Sequence, residues 1–273
     1  MSQLNWQTER VLIWGKTYPE LSTKYFETVC TAGVTERGRP VRLYPIPYRY
    51  LDTQFKKYQW IEAAIAKNPS DSRPESYRIN CDSIQCGDVI PPTPDEWGKR
   101  AEVVFREPSW QFESVEELHK AQRGHGTSLG VVVPREIDTV KIVPRPIEDA
   151  KSFEEKLAAL RIKLKAQSDQ FKLFEESVPE EMKKLDFVKA RPRVKWRCHS
   201  QSCAGHDMQV LDWEVAELQR KVGDDAAIAK MKELCNLSSY ALKFFLGNLY
   251  LHPTSFMIGS LWYPKRASDR LFL

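Results

Sequence analysis

The chain has 273 residues, 42% of them hydrophobic and 29% charged, with a formal net charge of +4 and a pI near 8.6. That length suits one large domain or two modest ones and buries a core without disulfides or metal. No apolar run approaches the roughly 18 residues a membrane-spanning helix needs. The start, MSQLNWQTERVLIWG, lacks the basic-then-apolar order of a signal peptide. Six cysteines are too sparse for a disulfide scaffold, which points to a cytoplasmic chain with free or metal-bound thiols.

In chain order, residues 11–18 (VLIWGKTY) read as a buried strand closed by Pro19. Ser22 or Thr23 is placed to cap a short helix running to Cys30, with Gly33 closing that segment. Residues 41–48 are extended, and Pro45 and Pro47 remove two ladder donors, so the strand is expected at an edge or with a bulge. Leu51, Phe55, Tyr58, Ile61 and Ile65 recur every three or four residues, which predicts an amphipathic helix capped at Asp52 or Thr53. Residues 68–76 form a polar loop. Short extended pieces follow over 77–107, including AEVVF, with PPTP at 91–94 as a rigid turn. Ser114 and Glu117 make a capping box for a short helix. Residues 128–133 and 137–143 read as strands.

Pro144 and Pro146 mark a boundary, dividing the chain into units 1–148 and 149–273. Beyond it, Phe153, Leu157, Leu160, Leu164, Phe171, Phe174 and Val178 form a heptad seam. Such a seam lies on its own domain or pairs two copies as a homodimer through 153–178. The rest reads strand, knuckle, strand, helix, hairpin. The fold class is α+β: a small mixed sheet, a long amphipathic helix, then this C-terminal unit.

Three features between 189 and 217 carry chemistry. Lys189, Arg191, Arg193, Lys195 and Arg197 fall at every second position, so on a strand they share one face, while Ala190, Pro192, Val194 and Trp196 take the other. A single-sign row repels itself unless a polyanion relieves it, which makes nucleic acid the expected partner. The same row also suits an edge strand guarded against sheet-to-sheet pairing. Arg37, Arg39, Arg42, Arg49, Lys56 and Lys57 are further cations able to extend that surface.

Cys198, Cys203 and His206 follow, three zinc-type donors within nine residues, separated by small or turn-forming residues. A standard CxxC pair is absent, so the fourth ligand must come from elsewhere. His252 at the tip of the last hairpin is the first choice, ahead of His199, Cys235 and His125. Without a fourth ligand the ion keeps an open position of the catalytic kind.

Asp212 and Glu214 flank Trp213. On a strand these carboxylates would share a face and hold Mg²⁺ beside a phosphodiester, with Lys195 nearby. On a helix Asp212 is instead the N-cap. The sequence therefore supports a nucleic-acid-binding protein with a zinc knuckle. Two alternatives stand beside it: a metal-dependent nuclease or phosphodiesterase with Asp212 and Glu214 as catalytic carboxylates, and a self-associating assembly protein.

Overall fold

Residues 11–14 (VLIW) are buried on both faces of one strand, and the architecture grows from that fact. The structure, a computed structural model, describes residues 4–22, 26–48, 51, 54–170 and 187–266. Its N-terminal part contains β1 (Gln7–Lys16), β2 (Glu20–Ser22), β3 (Phe26–Thr35), β4 (Pro40–Ile46), β5 (Gln59–Lys67), β6 (Ser76–Ile79), β7 (Gln85–Val89) and α1 (Glu96–Val104). The strand order β1-β3-β4-β6-β5 closes on itself through a β1–β5 pairing. Every pairing in the ring is antiparallel except β4–β6. This five-strand closed Greek key is the arrangement of OB-folds.

Closure depends on β1, which pairs β5 through its first half and β3 through its second, with a register shift between Ile13 and Gly15 that bends the strand. Gly33 of β3 sits against it: a Cβ there would lie 2.5 Å from Val11 Cγ1 and 2.7 Å from the Leu12 carbonyl oxygen, so only glycine fits. Val11 and Ile13 point into the barrel with Val29, Leu43, Phe55, Ile61 and Ile65.

Leu12 and Trp14 point outward, into a second core built partly from the other half of the chain. That half contains β8 (Gln111–Phe112), α2 (Val115–His125), β9 (Leu129–Val132), β10 (Glu136–Pro144) and α3 (Ile147–Gln170). It continues with β11 (Ala190–Arg197), β12 (His206–Gln209), α4 (Trp213–Val222), α5 (Asp224–Leu234), β13 (Lys243–Asn248) and β14 (Phe256–Trp262). One sheet runs β14-β13-β9-β8, and a three-stranded sheet runs β10-β11-β12. Successive residues of β13 face opposite ways. Phe245 packs against the barrel with Trp14, Trp110 and Trp262, while Phe244 and Leu246 join the C-terminal core with Val194, Trp196 and Ile258. The β13 sheet is thus a middle layer, apolar on both sides. Trp14 and Phe245 stack across the junction at 4.5 Å and 14°.

The α+β class, the C-terminal strand–knuckle–strand–helix–hairpin order and the loop at 68–75 agree with the sequence reading. Several elements do not. The helix expected to end at Cys30 is replaced by β3, with residues 23–25 outside the described residues. The helix expected over 51–65 is β5 and the turn before it. Ile61, Ala63 and Ile65 alternate into the barrel, and alanine hid the two-residue period from a count of large apolar residues. AEVVF lies on α1, where Trp97, Ala101 and Val104 pack at helical spacing. β4, by contrast, carries one of the two expected features, a bulge at Tyr44 and Pro45, and does so as an interior strand.

The boundary expected at 148 falls earlier, because β9 pairs β13 and β10 pairs β11, which puts residues from 111 onward in the C-terminal sheets. In α3 the seam residues Leu157 and Leu160 are buried within this chain, and Phe153 lies 5.4 Å from Phe187. Phe171, Phe174 and Val178 lie outside the described residues.

Because Phe245 is fully buried in the core that the two halves share, Phe245→Ala should cost about 3–5 kcal/mol. Urea denaturation followed by tryptophan fluorescence and by far-ultraviolet circular dichroism should show one coincident transition at a lower midpoint. Separate transitions for the two halves would contradict a shared core.

Candidate functional site

The alternation read from 189–197 holds in space. Pro192, Val194 and Trp196 are buried, while the cations lie on the other face of β11. Yet β11 is a central strand between β10 and β12, not an edge. Its neighbours carry carboxylates opposite the cations. Arg193 donates to Asp207 at 2.7 Å, and Lys141 approaches the same carboxylate at 3.4 Å. Arg197 lies 3.6 Å from Asp138 and 3.8 Å from Glu136. Arg191 reaches Glu20 at 3.5 Å. Lys189 and Lys195 are exposed. Cross-strand pairing, which a one-dimensional count cannot see, thus relieves most of the repulsion in the row.

Asp212 is the N-cap of α4, its Oδ1 accepting from the Glu214 amide at 2.8 Å. Its Oδ2 accepts from Lys57 Nζ at 3.2 Å and from Ser260 Oγ at 2.5 Å. Lys57 also donates to Glu214 at 3.1 Å. The proposed catalytic carboxylates are therefore bound to a lysine of the N-terminal half, and both Asp212 oxygens are engaged. Lys195 is elsewhere, on the exposed face of β11. This arrangement serves as a cap and a clasp between the halves. Sequence spacing gave no hint that Lys57, far upstream, would be the partner.

Cys198, Cys203 and His206 do converge, and the fourth member of their group is Glu116. Cys203 Sγ lies 3.2 Å and Cys198 Sγ 3.4 Å from His206 Nε2. Cys198 Sγ is 3.2 Å from Glu116 Oε2, and Glu116 Oε1 is 3.8 Å from the imidazole. A Cys203 N–H···Ser200 carbonyl turn and a left-handed Gly205 (φ 97°) fold the knuckle so that both sulfurs face inward. Glu116 arrives from the first turn of α2, held there by the Ser114 cap, whose oxygen accepts from Glu117 N at 3.1 Å. Burial opposes ionisation of Glu116, but hydrogen bonds from Cys198 and its own backbone hold the carboxyl below its ordinary range. Burial pushes the Cys198 thiol up to about 11 and lowers His206. His252 is exposed at the β13–β14 turn and is not in the group, because the hairpin points to another part of the molecule. His199 and His125 are exposed, and Cys235 is buried in the C-terminal core; none of the three belongs to it.

A cavity of about 690 Å³ lies between the barrel and the C-terminal half. Its barrel wall comes from β1, β3 and β4 and from the β5–β6 loop; its other wall comes from β11, α4 and the β13–β14 hairpin. Lys16, Arg42, Arg73, Arg78 and Arg191 line it, against two carboxylates, Glu20 and Asp71. Tyr18, Tyr44 and Tyr250 also line it. The guanidiniums are held in place: Arg42 donates to Ser128 Oγ at 3.1 Å, and Arg73 forks onto Asp71 at 2.6 Å while reaching the Asn248 carbonyl at 2.9 Å. His252 lines this cavity, not the thiol cluster.

Lys16 Nζ lies 3.9 Å from the Tyr48 ring centre and 3.0 Å from the Phe55 carbonyl oxygen. Burial lowers its pKa from 10.5 to about 8 against the pull of Glu214 and Asp212. The unfolded chain therefore keeps this proton up to about pH 10.5, and the folded chain releases it near pH 8. Lys16 should make stability rise with pH across that window, by up to about 3 kcal/mol in full. Urea midpoints at pH 7.5, 8.5 and 9.5 should climb less steeply in Lys16→Met than in the unaltered chain; equal slopes would contradict the shift.

Comparison with protein families gives two matches that follow the structural division. Residues 7–106 match a model described as Domain of unknown function (DUF8758), which spans the barrel and α1. Residues 111–273 match Domain of unknown function (DUF8757). No curated protein matches the chain. Since the second match covers more than half of the sequence, the chain belongs to the DUF8757 family.

Proposed function

We propose that the protein binds single-stranded nucleic acid in the cavity between its two halves. The observation that carries this reading is position: the cationic cavity lies over the β3–β4 face, bounded by the β1–β3 connection and the β5–β6 loop. In an OB-type barrel that face and those loops are where oligonucleotides bind. Fold alone does not establish function. The support comes from five cations against two carboxylates, with tyrosines beside them, which is the pairing of backbone attraction and ring stacking that single strands use. The volume of about 690 Å³ falls within the usual 300–1,000 Å³ of ligand sites.

This reading moves the contact from the whole 189–197 row to its Arg191 end, the one member of the row that lines the cavity. The paired Arg193 and Arg197 become structural. A cytoplasmic setting accords with six free cysteines, and no helix among the described residues is long and apolar enough to cross a membrane.

Fluorescence anisotropy with labelled single-stranded DNA, single-stranded RNA and duplex DNA, over a range of salt, tests the reading. Single strands should bind with marked salt dependence and duplex more weakly. Arg78→Glu combined with Arg191→Glu should lower affinity at least tenfold and reduce the salt slope by about 2. Lys195→Glu with Arg197→Glu should change it far less. If the second pair abolishes binding and the first does not, the exposed face of β11 is the contact and the cavity is not.

A further inference from the structure

The geometry points to a closed zinc site formed by Glu116, Cys198, Cys203 and His206, a structural ion that pins α2 to the β11–β12 knuckle. It goes beyond the cavity reading and does not depend on it. The donor atoms of the four residues all lie within 4.8 Å of one another, and their nearest separations run from 3.2 to 3.8 Å. A tetrahedral zinc with bonds of about 2.0–2.3 Å spaces its ligand atoms about 3.3–3.8 Å apart. The separations of 3.2 to 3.8 Å match that spacing.

Hydrogen bonding alone explains the cluster poorly. Two sulfurs converge on the single atom His206 Nε2, which has one proton or one lone pair to offer. The Cys198 amide also donates to Cys203 Sγ, at 3.4 Å. A carboxylate completes the set. Two thiolates, an imidazole and a carboxylate suit zinc better than magnesium or calcium, which take oxygen ligands.

The burial pattern argues for structure, not catalysis. Cys198 is 0% exposed and Cys203 8%, and the His206 ring packs 4.9 Å from Trp196. All four positions are filled by protein, whereas a catalytic zinc keeps one open. Only Glu116, with a side chain 44% exposed, faces solvent.

The test uses the full chain, purified without added metal, and zinc as the probe. Elemental analysis should find about one zinc per chain, and Cys198 and Cys203 should resist alkylation until a chelator is added. Cobalt exchanged into the site should give thiolate charge-transfer and tetrahedral d–d bands. Substoichiometric metal with both thiols alkylated equally fast with and without chelator overturns the site. Cysteine variants threaten the fold, so the fourth ligand is tested at the exposed residue. Glu116→Gln should weaken zinc at least tenfold in competition with a chelating dye, and His252→Ala should leave it unchanged. Unchanged affinity in Glu116→Gln, or a loss in His252→Ala, overturns the assignment of Glu116.

Discussion

The β13 sheet, apolar on both faces, is the constraint from which the rest follows. A sheet with one wet face holds a single domain together; one buried on both sides must have a layer on each. Here the layers are the barrel, through Leu12, Trp14 and Val34, and the C-terminal core, through Val194, Trp196 and Ile258. The halves that match separate family models are therefore one packed body along this sheet. Gly15 shows how closely they approach: a Cβ there would come within 3.0 Å of Ser260 Cβ on β14. Ser260 in turn binds Asp212, and Asp212 binds Lys57 of the barrel, so a buried polar clasp lies beside the apolar contact. A buried ion pair of this kind adds little net stability, but breaking it leaves a charge without a partner, so it fixes how the halves sit. The cavity is what remains where that contact stops.

Charge is distributed by the same logic. A row of five like cations looks from the sequence like a surface awaiting a polyanion. Once β10 and β12 are laid beside it, Asp138, Asp207 and Glu136 face it at bonding distance. Within a sheet, the charge of one strand has to be read with those of both neighbours. The excess of positive charge appears instead where elements from distant parts of the chain meet: Lys16 from β1, Arg42 from β4, Arg73 and Arg78 around the β5–β6 loop, and Arg191 from β11.

How much was legible in the sequence follows from the range of each interaction. Local signals read well: the Ser114 cap, the Asp212 cap, the alternation across β11, the inward curl of 198–206 and the final hairpin all depend on residues within a few positions. Signals that compete were misread. The spacing of Phe55, Tyr58, Ile61 and Ile65 fits a helix, but a barrel needs β5 to alternate, and small alanines at 63 and 64 conceal that period. Long-range partners were not legible at all. Glu116 lies some eighty positions before Cys198 on a helix that reads as an ordinary amphipath, and Lys57 reads as one surface cation among several. The only hint was negative: three zinc-type donors without a fourth implied a ligand from elsewhere, though not from which element.

β11 connects the two sites without merging them. Cys198 follows its last residue and Arg191 stands near its first, so the ion cluster and the cavity occupy opposite ends of one strand, about 23 Å apart at the usual rise. The inward residues Pro192, Val194 and Trp196 lock that strand into the C-terminal core along its length. An ion at the Cys198 end would fix the knuckle and the start of β12. It would not touch a ligand in the cavity. The cluster and the cavity share one strand but no residue.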